Sequence, residues 1–387
     1  MKKAILMLED GKSFSGVSVA ASGETIGQIV YNTADVGYQE IITDPTSKGL
    51  VICFAFPEIG NYGVNLKDNE SDKIQCAGIV AKQISKVTSN WQATQGFIDF
   101  LKKQKIIAIE RVDTRAIVRY IIKKGEMKCI LSTIDFDLKS LRSKLKYSKN
   151  INDIDLVSTI ATKKSYKWNL KNKLQLLNVF EKEKQYTKLS DNKKIFKVVA
   201  IDCGIKESFL RMFASCNCNV IVMPAKTKAE EILKIKPDGV FISNGPGNPE
   251  KLDFLVEEIK KVLGKKPILG IGLGHQLLAL ALGGKVYKMK SGHRCINHSI
   301  KNLDTGSVEV VSQNHGYAVL PDSFKKSKYR VKITHINLND RTVEGIEAPL
   351  IKSFSVQYHP LARPGAHDAP FIFNKFIKNM KTFKEVK

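Results

Sequence analysis

Four segments in the second half of the chain hold the residues best suited to chemistry. They are Ser243–Pro249 (SNGPGNP), Leu269–Gln276 (LGIGLGHQ), Ser312–Tyr317 (SQNHGY) and Ser355–Pro360 (SVQYHP). LGIGLGHQ closes an apolar strand and opens a helical pattern, so Gly270–Gly274 forms a G-x-x-x-G elbow. An elbow of this kind pushes its middle side chain into the open beside a helix N-terminus, where a nucleophile can attack. Flanking glycines suit it because the tight backbone leaves no room for Cβ atoms. The middle residue here is Gly272, which has no side chain.

These segments need a scaffold, and the sequence around them supplies one. From Phe196 the pattern is strand, turn and helix, repeated: strands at 197–201, 220–223, 239–243 and 267–271, helices at 206–214, 228–235 and 275–282. Continuous apolar strands alternating with helices predict a mostly parallel sheet covered by helices on both faces. Ligands in such folds bind beyond the carboxyl ends of the strands, where SNGPGNP and GLGHQ fall. Residues 1–150 read as a separate mixed α/β domain, with strands at 3–8 and 25–31 and helices at 71–84 and 113–124. Asp113 is the expected N-cap and Gly125 the C-cap of the last helix. Residues 151–195 turn rich in Lys, Asn and Ser and read as a connector. The organisation expected is thus 1–150, connector 151–195, and 196–387.

The four segments together resemble a class I, triad-type glutamine amidotransferase domain. In the first half, Asn32–Pro45 (NTADVGYQEIITDP), Ile59–Asn65 (IGNYGVN), Ser89–Trp91 and Val112–Ala116 (VDTRA) narrow the resemblance, as does Lys288–His293 (KMKSGH). They resemble the small subunit of carbamoyl phosphate synthetase over nearly the whole chain. The resemblance implies a subunit that hydrolyses glutamine and passes ammonia to a large subunit. There, bicarbonate and ATP yield carbamoyl phosphate for arginine and pyrimidine synthesis. ATP and its divalent metal belong to that large subunit, so no cofactor is expected in this chain.

By the same resemblance Gly272 stands where the family has its nucleophilic cysteine. His359 holds the position of the base, and Leu361 replaces the glutamate that orients it. Leucine can neither fix an imidazole tautomer nor stabilise its charged form. Thr46, Gly245, Gly247, Leu273, Gln276, Asn314, Gly316 and Tyr317 fall on the family's glutamine-binding positions. The backbone N–H of Leu273 and that of a glycine in the GPG turn would form the oxyanion hole. The bland alternative is that the glycines only make turns and Gln276 only caps a helix. The expected function is a small subunit that has lost its own glutaminase step, or a subunit that senses glutamine or serves as a scaffold in an ammonia-dependent complex. Cys203 and Cys295 are the cysteines nearest in sequence to the motifs, and neither sits in an elbow.

Bulk properties bound the rest. The chain has 387 residues, 43% of them hydrophobic, enough for two or three domains. No apolar run reaches the roughly 18 residues of a membrane span. The formal charge of +24 invites a nucleic-acid reading. The lysines are spread along the chain rather than gathered with aromatics, so specific nucleic-acid binding is not expected. Seven cysteines without framework spacing favour a reducing cytoplasm. His293, His298 and His367 are too dispersed to argue a metal site. Asp68, Glu70 and Asp72 read as a solvated helix start.

Overall fold

The computed structural model describes residues 2–168, 194–361, 364–365, 369 and 371–383. His367 and residues 169–193 of the expected connector lie outside the described residues. The chain divides into two units, and the division is not contiguous. The first is Met1–Ile154 with Met289–Cys295; the second is Asp155–Lys288 with Ile296–Lys387.

In the first unit the strands are β1 (Lys2–Leu8), β2 (Ser13–Ser18), β3 (Glu24–Asn32), β4 (Leu50–Phe54), β5 (Glu58–Ile59), β6 (Gly78–Val80), β7 (Gln83–Ile84), β8 (Ile107–Glu110) and β9 (Met127–Ser132). Seven of them close into a barrel in the order β1-β2-β8-β6-β4-β3-β9, and β5 pairs with β7 in a separate small sheet. Alternation along the strands sorts the core. Leu6, Leu8, Cys129 and Leu131 join one apolar cluster with Ile117 and Ile121 of the helix Thr114–Lys124. Ile5, Met7 and Ile130 join another with Leu141 and Leu145 of the helix Leu138–Tyr147. The expected capping of the Thr114–Lys124 helix is observed: the Asp113 carboxylate accepts from the Ala116 N–H at 2.9 Å, and Gly125 ends the helix.

Two expectations fail in this unit. No helix spans 71–84; that stretch carries β6 and β7. Its apolar residues pair into sheets rather than lining a helical stripe, with β6 held between β4 and β8. Nor is the acidic stretch before it a solvated helix start. Glu70 is completely buried, and its backbone N–H donates to the Thr43 hydroxyl at 3.0 Å.

The segment Met289–Cys295, inside the KMKSGH run and beyond it, belongs to the first unit. The reason is ionic. The Glu126 carboxylate accepts from the Gly292 N–H at 2.7 Å, from the Gln28 amide at 2.6 Å and from the Arg294 guanidinium, and the ion-paired side chains are almost wholly buried.

The second unit holds β10 (Tyr166–Lys167), β11 (Phe196–Asp202), β12 (Cys218–Pro224), β13 (Gly239–Ile242), β14 (Ile268–Ile271), β16 (Val308–Val319), β17 (Lys332–Asn337), β18 (Val343–Ala348), β19 (Ser353–Val356) and most of β15 (Val286–Asn302). They form one ten-stranded sheet ordered β10-β12-β11-β13-β14-β19-β18-β16-β15-β17. The five central strands β12, β11, β13, β14 and β19 are parallel. The strands flanking them are antiparallel. Val199, Ile201, Val240 and Ile242 pack with the helices Asp253–Val262 and Leu273–Ala281 on one face. Val198, Ala200, Phe241 and Leu269 pack with Glu207–Ser215 and Phe371–Thr382 on the other. The doubly covered parallel sheet read from the sequence is therefore present.

Because the Glu126–Arg294 pair is buried, Glu126→Ala leaves a guanidinium charge without its carboxylate. We expect a loss of about 3–5 kcal/mol, seen as a lower urea midpoint in the barrel's unfolding transition. Glu126→Asp, which keeps the charge, should lose less.

Candidate functional site: a strand-to-helix elbow without a side chain

At the end of β14 the chain turns sharply into the helix Leu273–Ala281. Gly272 makes the turn with φ 60° and ψ −112°. Its N–H donates to the Val356 carbonyl at 3.0 Å, extending the β14–β19 register. Its carbonyl accepts from the His275 N–H at 3.1 Å and the Gln276 N–H at 3.3 Å, which starts the helix. One residue thus belongs to both sheet and helix, in a backbone conformation that side chains rarely adopt.

The neighbouring glycines are required for a different reason. A Cβ on Gly270 would lie 2.4 Å from the Gly274 carbonyl oxygen, and one on Gly274 would lie 2.1 Å from the Ile242 oxygen. A Cβ on Gly245 would lie 2.0 Å from the Cys203 oxygen. These three positions have no space. Gly272 does: its Cβ would meet the Asn244 Cβ at 3.4 Å and the His359 Nε2 at 3.7 Å, both ordinary contacts. The elbow has the room and the facing imidazole that a nucleophile would use, and no atom in that place.

The surrounding loops are fixed by side chains. Asp202, at the end of β11, accepts from the Gly204 and Ile205 N–H groups at 2.9 and 3.0 Å through one oxygen, and from the Thr162 N–H at 2.7 Å through the other. The Ser243 hydroxyl accepts from the Cys203 N–H at 2.9 Å and donates to the Asn244 carbonyl at 2.8 Å. The Asn244 amide oxygen accepts from the Lys206 N–H at 3.2 Å. Together they lock the ends of β11 and β13 beside the elbow.

Gln276 is not a helix cap. Its amide donates to the Tyr317 carbonyl at 3.0 Å and to the Gln357 side chain at 3.0 Å, tying the helix to β16 and to the segment after β19. Asn314, Gly316 and Tyr317 lie along β16 (Val308–Val319). His359 is bridged to the same strand: its N–H donates to the Ser312 carbonyl at 3.0 Å. Gly247 turns with φ 92° against Leu156. Gly245, Gly247, Leu273, Gln276 and the β16 residues therefore all belong to the second unit with Gly272 and His359. Thr46 lies in the first unit, where its N–H donates to the Asp44 carboxylate at 2.8 Å.

The other candidates are quiet. Leu361 is buried within the apolar cluster that contains Phe209, Val356 and Tyr358. Cys203 is fully buried, and burial, with the nearby Asp202 charge, raises its thiol far above the usual range. Cys295 is buried in the first unit. All seven cysteines are buried. His275 is fully buried with Nδ1 2.9 Å from the Ser355 hydroxyl, and burial lowers its pKa to about 3. Reading the sequence did not single out Ser243, Asn244, Ser312 or Gln357, although each lies inside a chosen motif. Phe209, whose ring meets His359 edge-on, carried only a helical-periodicity signal.

The fold of the second unit is that of a class I glutamine amidotransferase domain. Residues 199–379 match the family described as glutamine amidotransferase class-I, and residues 6–131 match the carbamoyl-phosphate synthase small chain, CPSase domain. Among similar proteins, the carbamoyl phosphate synthase small chain of Syntrophotalea carbinolica is 44% identical, with 98% of each chain covered. That of Aquifex aeolicus is 41% identical over 97% of this chain and 98% of its own. The chloroplastic small chain of Oryza sativa subsp. japonica is 40% identical over 98% of this chain and 83% of its own. The chain belongs to the carbamoyl phosphate synthase small chain family.

Two predictions follow from the packing. Gly274→Ala must displace the Ile242 backbone and should cost about 3 kcal/mol or more. Gly272→Ala meets no clash and should cost only its backbone strain, about 1–3 kcal/mol; urea unfolding of the two variants gives the order. The second concerns acid. His275 and His335 have folded pKa values lowered to about 3 and about 4, mainly by burial. The unfolded histidines titrate near 6.5. Between those values the unfolded chain holds more protons than the folded one. Stability is therefore complete above about pH 6.5 and falls as the pH drops, by about 1.4 kcal/mol per pH unit for each histidine. Urea midpoints at pH 7.5, 6 and 5 should show this fall, and His275→Gln should make it shallower.

Proposed function

We propose that this chain is the small subunit of a carbamoyl phosphate synthetase and that it does not hydrolyse glutamine itself. The observation that carries the reading is Gly272. It occupies the elbow with the strained backbone and open space of a nucleophile position, and it offers no atom to attack an amide. The loss of a carboxylate at Leu361 points the same way, because that side chain is part of the apolar core. No other cysteine takes over: Cys203 is fully buried, and burial raises its thiol pKa and disfavours the thiolate.

In this reading glutamine still has a site. Gly245, Gly247, Leu273, Gln276, Asn314, Gly316 and Tyr317 of the second unit bind it, and the Leu273 N–H with a glycine N–H of the GPG turn faces its amide carbonyl. His359 remains as the base, with its Nε2 facing Gly272 rather than a thiol. The chain docks on a large subunit that carries the ATP and divalent-metal chemistry. The complex makes carbamoyl phosphate for arginine and pyrimidine synthesis from free ammonia, in the cytoplasm. Among the described residues no helix is long and apolar enough to cross a membrane.

A second reading keeps the same site and gives it a sensing role: glutamine occupancy, unconsumed, changes the partner's behaviour. Its support is the linkage of Gln276 to Tyr317 and Gln357, which joins the helix of the elbow to two other parts of the sheet.

The test is to combine the chain with its large subunit, ATP and bicarbonate, and to compare nitrogen donors. Ammonium chloride should support carbamoyl phosphate synthesis and glutamine should not. Synthesis from glutamine at a comparable rate overturns the proposal. Titration calorimetry with glutamine addresses the second reading: heat that saturates in the millimolar range or below is expected, and none at all removes it.

A further inference from the structure

The two departures at the site are unlike each other in structure. Gly272 leaves a hole of the right shape, whereas Leu361 is built into the core. Yet the His359 imidazole still points its Nε2 at the hole, 3.7 Å from where a Cβ on Gly272 would be. Something other than a carboxylate at position 361 keeps it there.

Restraints on it are visible among the described residues. The first is the backbone bridge: the His359 N–H donates to the Ser312 carbonyl at 3.0 Å, which pins the Cα of His359 to β16. Ser312 is itself anchored, since its hydroxyl donates to the Pro364 carbonyl, beyond the turn that follows His359. The second is aromatic. The His359 ring stands at 84° to the Phe209 ring with centroids 6.0 Å apart, an edge-to-face contact that fixes the imidazole plane. Phe209 is completely buried and cannot readily give way, because it meets Phe241 edge-on at 6.0 Å and Phe373 at 6.4 Å.

We propose that Phe209 and Ser312 are the positioning residues for His359 in this chain, taking over the orienting part of a carboxylate's role, so that the site lacks one side chain rather than two. A thiol placed at position 272 then finds the imidazole already aimed at it. It gives its proton to His359 Nε2 and is held as a thiolate beside the imidazolium and the N-terminus of the helix Leu273–Ala281. The inference rests on reading Gly272 as the nucleophile's place. Its test needs neither glutamine nor a second subunit, so it can fail while the proposed function stands, and the reverse.

The experiment is alkylation of the Gly272→Cys chain with iodoacetamide across pH 4–10, with the peptide carrying position 272 followed by mass spectrometry. The native chain is a clean blank, because all seven of its cysteines are buried. The labelling midpoint should lie below about 7.5, against about 8.5 for an ordinary thiol. Adding His359→Gln should raise it and slow labelling at pH 6 about tenfold, as one pH unit of midpoint requires. Adding Phe209→Leu should also raise it, whereas adding Leu361→Glu should leave it in place. A midpoint near 8.5 that ignores His359 overturns the proposal. So does a low midpoint that arises only with Leu361→Glu. If Gly272→Cys fails to fold, nuclear magnetic resonance of the native chain decides instead. The ring current of Phe209 should displace the His359 ring-proton resonance, and Phe209→Leu should remove the displacement. A His359 resonance at the unfolded position, unmoved by Phe209→Leu, overturns it.

Discussion

The second unit is organised around a single backbone constraint, the turn at Gly272. Its N–H continues the sheet and its carbonyl begins a helix, so strand and helix must approach almost to backbone contact. That approach leaves no space for side chains at Gly270 and Gly274, and the same crowding at the end of β11 excludes one at Gly245. A side chain at position 272 would be strained, and packing on both faces of the sheet imposes the turn all the same. A glycine relieves the strain while the surrounding architecture continues to impose the shape. The chemistry can therefore be absent while the form that would carry it remains.

Much of this was legible from the sequence, and the reasons are specific. The parallel strands were visible because burial on both faces makes them continuously apolar, as in 197–201 and 267–271. The elbow was visible because glycine is the only residue that its close approaches allow. Gly272 drew attention because it lies inside LGIGLGHQ, and Leu361 because it directly follows SVQYHP. What remained hidden depended on distant partners. The stretch 71–84 has apolar spacing compatible with a helix, but pairing with β4, β8 and β5 made it strand. The barrel could not be foreseen, since closure is a property of strand order and not of any one strand.

Two further features needed coordinates. Glu126 gathers Gly292 and Arg294 from far along the chain, so a motif in the middle of the second half belongs to the first unit. Gln276, for which a helix cap was the bland alternative, ties the elbow's helix to β16. Phe209 carried no sign beyond helical periodicity, because its contact with His359 depends on how helix and sheet are packed together.

The measurement that tests the account most directly supplies both nitrogen sources at once. The chain and its large subunit are given ATP, bicarbonate, glutamine labelled with nitrogen-15 in its amide, and unlabelled ammonium chloride. Mass spectrometry of the carbamoyl phosphate formed, trapped as a stable derivative, should find only nitrogen-14. Nitrogen-15 in the product would mean that amide nitrogen is released and channelled, and it would contradict the claim that an elbow bearing Gly272 cannot hydrolyse glutamine.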